Sequence, residues 1–196
     1  MPEPGDTPLA FHSSFNGIID SFRMMIAGLT WLRAAPEAAE KYFAPWQYIL
    51  TLDCTVSDKS IKVDKSAILA FQADAAAPGT PLHVSTIANL CRVVTISVKD
   101  IIAEHPDFSS TENVELLQFF RHIRNAAAHE NQFYFGVGKQ RDRTLAGLPV
   151  RWRNKTIDAS LEGTQLFHRF LGAGDLLFLL SDVSALARPS TANGTV

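Results

Sequence analysis

Apolar residues recur at helical spacing over most of this chain, and this constrains the fold more than any other feature. From Phe15 to Leu29 they fall three or four residues apart, behind a Ser pair that can cap a helix. The same spacing predicts helices over 36–52, 66–77, 85–102, 112–133 and 175–186, with Pro45 kinking or splitting the first of these. Residues 136–161 break the pattern with glycines and alternating polar residues. The sequence therefore predicts an all-α helical bundle with a small loop or β-hairpin insertion before the last helix.

The length and composition fit one globular domain. With 196 residues, of which 46% are hydrophobic, the chain can bury a core and is not largely disordered. The Pro-rich start and the polar end predict flexible tails at 1–10 and 188–196, around a single domain at 11–187. The net charge of −2 means that contact with nucleic acid would need a local basic patch.

The cysteines and the N-terminus indicate a cytoplasmic protein. Cys54, just after the predicted helix at 36–52, and Cys91, within the one at 85–102, lack ligand spacing, so we expect reduced, buried thiols. The acidic start is unlike a signal peptide, and no apolar run reaches the roughly 18 residues of a membrane span. We therefore expect no contact with a membrane.

The predicted helix at 112–133 carries an unusual polar string, Arg121-His122-Ile123-Arg124-Asn125-Ala126-Ala127-Ala128-His129. At about 100° per residue, Arg124, Asn125 and His129 share a sector that faces away from the apolar stripe. Arg holds a phosphate, His moves a proton near neutral pH, and Asn can orient either. This set suits cleavage of RNA by its own 2′-hydroxyl, which needs no metal, although a solvated helical face is the simpler interpretation.

The string from Arg124 to His129 resembles the signature of the HEPN superfamily, the higher eukaryotes and prokaryotes nucleotide-binding domain. That signature is an Arg, a polar residue and a later His, placed late in a helical bundle. The flanking residues, which cover roughly the C-terminal half, are similar to a plasmid-associated bacterial subfamily. They are Phe119–Arg124, Glu130–Phe133, the Trp152 region, Ser160–Thr164 and Gly174–Leu177.

The resemblance implies an α-helical protein, often a homodimer, and in many members an endoribonuclease that uses no metal and no cofactor. In those members two motif helices meet across a two-fold axis. Arg124 would bind the scissile phosphate, Asn125 would orient it or the His, and His129 would be general base or acid, leaving a 2′,3′-cyclic phosphate. For this chain the leading prediction is such an RNase in the role of a toxin or defence element. Some members pair with a nucleotidyltransferase as antitoxin, so the resemblance also implies an antitoxin as a candidate partner.

Two other interpretations remain open at this stage. The first is a non-catalytic HEPN module that binds a nucleotide or a partner protein, with Arg124 anchoring a phosphate and His129 structural. The second is an accidental motif in an unrelated helical bundle. A motif whose polar groups are tied up in internal hydrogen bonds would favour the non-catalytic module.

A second group of residues is predicted to support the site or to contact RNA. Arg121 and Gln132 lie in the polar sector, and His122 lies beside it. For His122, a plain surface position agrees with the sequence as well as a supporting role does. Cations also cluster in the insertion, opposed there only by Asp142 and Asp158; they are Lys139, Arg141, Arg143, Arg151, Arg153 and Lys155. Both phosphate contact and solubility are compatible with this cluster. Trp152 can anchor the core or stack on a base, and the core is favoured.

The remaining histidines give no sign of a metal site. His12, His83, His105 and His168 are isolated in the sequence, without the spacing of metal ligands. We therefore expect each of them to be structural.

Overall fold

The computed structural model describes residues 9–45, 48–53, 60–64, 66, 69–70, 74, 77–108 and 114–187. Helices make up most of this, namely α1 Asn16–Ala34, α2 Pro36–Phe43, α3 Pro81–Glu104, α4 Glu115–Ala128, α5 Gly138–Ala146 and α6 Ala173–Ser184. Two antiparallel hairpins occur among the described residues: β1 Tyr48–Asp53 with β2 Ser60–Asp64, and β3 Val150–Trp152 with β4 Lys155–Ile157. The predominantly helical class is confirmed, and the second hairpin lies where the insertion was predicted.

The chain divides into two compact units. One combines residues 1–22 with 88–196, and the other comprises residues 23–87. In the first unit, α4 packs against β3 and α6. The rings of Phe119 on α4 and Trp152 on β3 lie 5.7 Å apart, and Leu176 and Leu180 of α6 are fully buried. Each such side chain contributes about 1.5–3 kcal/mol by burial, so this packing fixes the position of α4.

Residues 48–53 form a strand, so the prediction of a helix through Leu52 is wrong there. Pro45 ends the preceding helix, and the sequence Tyr48-Ile49-Leu50-Thr51 is rich in aromatic and β-branched residues that favour strands. Pairing with β2 then satisfies the backbone groups of β1. The start of α2 at Pro36 agrees with the prediction.

Helix α5 lies where the sequence predicted a loop. Its residues include good helix formers such as Lys139, Gln140 and Arg141, but none of its side chains is buried. An exposed helix has no apolar stripe, so hydrophobic spacing could not reveal it.

Several predictions fall on residues that the structure does not describe. These are Cys54, the C-terminal tail at 188–196, all but residues 9 and 10 of the N-terminal tail, and most of the predicted helix at 66–77. Cys91 is buried and free, as predicted, and burial raises the pKa of its thiol to about 12. Within the described part of the chain, no helix has the length and apolar character to cross a membrane.

Candidate functional site

The two faces of α4 position the motif. Its core face buries Phe119, Phe120, His122, Ile123, Ala126 and Ala127. On the other side, Arg121 is exposed, and Arg124 and Asn125 are half-buried. The predicted separation of the polar sector from the apolar stripe is therefore present, with His122 as the exception.

Helix α4 ends at Ala128 and not near Phe133, because the next residues leave the helical conformation. His129 caps the helix with a φ of −95°, and its N–H donates to the Asn125 carbonyl at 3.0 Å. Glu130 and Asn131 follow in the left-handed region, with φ of 53° and 65°. Glu130 is exposed, so it does not point to the apolar side as a continuing helix would require. His129 therefore stands at the exposed end of the helix.

The side chain of Asn131 stabilises this left-handed segment through two hydrogen bonds. Its Nδ2 donates to the Phe167 carbonyl at 3.1 Å, and its Oδ1 accepts from the Phe167 N–H at 2.8 Å. Asn also tolerates the left-handed region better than most residues. Backbone pairing continues beyond it, where the Phe133 N–H donates to the Thr164 carbonyl at 3.0 Å. The segment after the motif is thus fixed against residues 163–167.

We expect Asn131→Ala to lower the free energy of unfolding by about 2 kcal/mol, because a buried Phe167 N–H loses its partner and Ala is disfavoured in the left-handed region. Asn131→Asp keeps the Oδ1 acceptor and tolerates that region, so it should lose less. Urea denaturation of the three proteins measures both changes. Equal stability of wild type and Asn131→Ala would contradict this role of Asn131.

An open pocket of about 500 Å³ lies at this end of α4. Its lining consists of Ala128, His129, Glu130, Gln132, Phe133, Tyr134, Glu162 and Gly163. The rings of His129 and Tyr134 are 4.9 Å apart, and the Tyr134 side chain is 43% exposed. Glu162 is neutralised by Arg141, whose Nη1 donates to Glu162 Oε2. The pocket therefore joins an imidazole to an aromatic ring. Of its two carboxylates, that of Glu162 is paired to a cation and that of Glu130 is exposed.

Arg124 and Asn125 do not line this pocket. They stand on the preceding turn of α4, and the Arg124 Nε is buried without a hydrogen-bond partner. Within the described residues, no hydrogen bond or ion pair engages the side chains of Arg124, Asn125 or His129. None of these three side chains is therefore held by another described residue, and one chain alone places only His129 in the pocket.

A cation from another helix also reaches the motif. The Arg92 Nε on α3 donates to the Ala127 carbonyl at 2.7 Å, and its Nη1 donates to Asn89 Oδ1 at 3.0 Å. A cation at the C-terminal end of α4 stabilises the unpaired carbonyls and the helix dipole there. Sequence reasoning missed Arg92, since nothing near it in the chain resembles the motif.

His122 is buried, so the surface position considered for it is wrong. Its side chain is 3% exposed, its ring packs edge-on to Phe135 at 6.1 Å, and its Nε2 has no hydrogen-bond partner. Burial, with a smaller contribution from the charge of Arg121, lowers its pKa from 6.5 to about 4. The ring is therefore neutral at pH 7 and supports the motif helix from within the core.

Three of the six cations in the insertion form ion pairs or hydrogen bonds within the protein. Besides the pair of Arg141 with Glu162, Arg153 binds Asp182 at 3.0 Å, and the Lys155 Nζ donates to the Phe170 carbonyl at 2.7 Å. Trp152 is 7% exposed and donates to Asp182 at 2.8 Å, so it is a core anchor. In the described part of the chain, the cluster members whose side chains form neither an ion pair nor a hydrogen bond are Lys139, Arg143 and Arg151. Gln132 is exposed and forms a backbone bridge with Gln165.

Comparisons of the chain with protein-family models, with curated proteins and with solved structures found no match.

Proposed function

We propose that this protein is a metal-independent endoribonuclease of the HEPN type, with Arg124, Asn125 and His129 as its catalytic residues. The observation that carries the proposal is the motif at the end of α4. Its three polar side chains have no hydrogen-bond or ion-pair partner among the described residues, and its His lies in an open pocket. Had internal hydrogen bonds occupied these groups, a structural role would be the better account.

The pocket has the size and chemistry for a nucleotide. Its volume of about 500 Å³ is within the range of ligand sites. Tyr134 offers an exposed ring on which a base can stack. His129 is exposed beside that ring, so a sugar hydroxyl of a stacked nucleotide would come within its reach.

In the proposed reaction, His129 removes the proton of a 2′-hydroxyl, and the 2′-oxygen attacks the adjacent phosphorus. The bond from phosphorus to the 5′-oxygen breaks, and a protonated general acid supplies the proton to the leaving oxygen. Arg124 binds the phosphate oxygens, where negative charge grows in the transition state. Asn125 orients the phosphate or the imidazole. The products are a 2′,3′-cyclic phosphate and a 5′-hydroxyl.

This reaction needs a base and an acid, whereas the motif supplies one His in each chain. A homodimer in which two α4 ends meet would bring together both His129 residues and place Arg124 of one or both chains at the phosphate. The half-buried position of Arg124 outside the pocket is consistent with a site completed by a second copy. A toxin or defence role in the cytoplasm, with an antitoxin partner, belongs to the same proposal.

The products of cleavage test the proposal. RNA labelled at its 5′ end is incubated with the protein in EDTA, and the ends of the fragments are identified. We expect fragments that end in a 2′,3′-cyclic phosphate, and no cleavage of a matched RNA with 2′-deoxy nucleotides at the cut sites. Intact RNA, or fragments with a 3′-hydroxyl, would overturn the proposal.

A further inference from the structure

Two histidines that are distant in sequence meet beside an aspartate. His12 precedes α1, whereas His105 and Asp107 follow the end of α3. The His12 Nε2 lies 3.1 Å from Asp107 Oδ2, and the His105 Nδ1 lies 3.7 Å from the same oxygen. His12 and His105, which are isolated in the sequence, are therefore neighbours in the structure. We propose that His12, His105 and Asp107 bind a divalent transition-metal ion, for which Zn²⁺ is the probe.

The spacing of the donor atoms supports this inference. Bonds of about 2.0–2.1 Å to a tetrahedral metal place two ligand atoms about 3.4 Å apart. The distances of 3.1 and 3.7 Å to Asp107 Oδ2 lie on either side of that value. All three donor atoms fall within 4.8 Å of one another, so modest side-chain rotation is enough to close the site. Two imidazoles and one carboxylate are also a common ligand set for such ions.

The surroundings resemble those of a metal site in two further ways. The His12 Nδ1 lies 2.8 Å from Ser14 Oγ, so its other nitrogen has a partner that orients the ring toward Asp107. The His12 ring also packs edge-on against Phe108, at 5.5 Å, and against His105, at 4.9 Å. The three side chains remain 13–33% exposed, which leaves the fourth position open to water.

This cluster is separate from the motif at the end of α4. Arg92 marks the point where α3 meets that motif, and His105 directly follows the C-terminal end of the same helix. At 1.5 Å per residue, the separation along the helix is about 20 Å. A bound ion would tie the segment before α1 to the end of α3. The inference therefore does not rest on the proposed RNA cleavage.

Calorimetric titration of the full, untagged chain with ZnCl₂, after removal of metals by chelation, tests the proposal. We expect one Zn²⁺ per chain and a higher midpoint of thermal unfolding with zinc. His105→Ala and Asp107→Asn should each weaken binding at least about tenfold. Asp107→Asn is nearly isosteric, so it should preserve the fold. His168→Asn removes an exposed histidine elsewhere and should bind zinc as wild type does.

Absence of zinc binding by the wild-type chain would overturn the inference, and the contact of His12 with Asp107 would then be only a hydrogen bond within the protein. Equal zinc affinity of wild type and Asp107→Asn, with both folded by circular dichroism, would also overturn it, since the ion would then be bound elsewhere.

Discussion

His129→Ala is expected to lower the rate of RNA cleavage in EDTA by about 10²–10⁴-fold, the range for loss of a general acid or base. The side chain is exposed at the end of α4 and packs only against Tyr134 among the described rings, so its removal should leave the fold intact. Initial rates on a labelled RNA measure the effect. His168→Asn is the matched control, because His168 is exposed and Asn suits its φ of 85°.

We expect the side chain of Arg124 to be as important for RNA cleavage as that of His129. Arg124→Ala should lower the cleavage rate to a similar extent, because the phosphate loses its charged donor. Arg124→Lys should recover only part of the activity, since an ammonium cannot form the two parallel hydrogen bonds of a guanidinium. Arg169→Ala removes an exposed Arg elsewhere and should cleave at the wild-type rate. Full activity of Arg124→Ala would exclude it from the site.

Acidification is expected to destabilise the protein through His122. In the folded state the pKa of His122 is about 4, below its ordinary value of 6.5, so between these values the unfolded chain binds more protons. The contribution to stability is fully present above about pH 6.5 and is lost as the pH falls toward 4. Its full size corresponds to about 3 kcal/mol.

His122→Leu isolates this contribution, because it removes the titrating group and keeps an apolar side chain of similar volume in the core. Urea denaturation at pH 7.5 and pH 4 gives the free energy of unfolding of each protein. The loss of stability on acidification should be about 3 kcal/mol larger for wild type than for the variant. Equal losses would mean that burial does not depress the pKa of His122.

Much of the fold could be predicted because its long helices have an apolar stripe. The core face of α4 is visible as such a stripe, and so is that of α6. Helix α5 lacks such a stripe. Strand β1 was predicted as helix because the spacing of its apolar residues fits a helix as well as a strand. The apolar residues of the β1 region therefore predicted a helix, and the α5 region showed no hydrophobic periodicity at all.

The residues of the candidate site could be predicted in part. Arg124, Asn125 and His129 could be predicted because they lie close together in the sequence. The left-handed conformation of Glu130 and Asn131 could not be predicted, because it depends on hydrogen bonds to Phe167, far along the chain. Arg92, like the cluster of His12, His105 and Asp107, is brought into place only by tertiary packing. Spacing within one segment carries no information on such contacts.

The most direct test of catalysis measures RNA binding and single-turnover cleavage in parallel, in EDTA, for wild type and His129→Ala. If His129 moves a proton, both proteins should bind RNA with similar affinity, and the variant should cleave at least about a hundredfold more slowly. Binding by both proteins without cleavage by either would contradict catalysis and indicate a module that only binds its ligand.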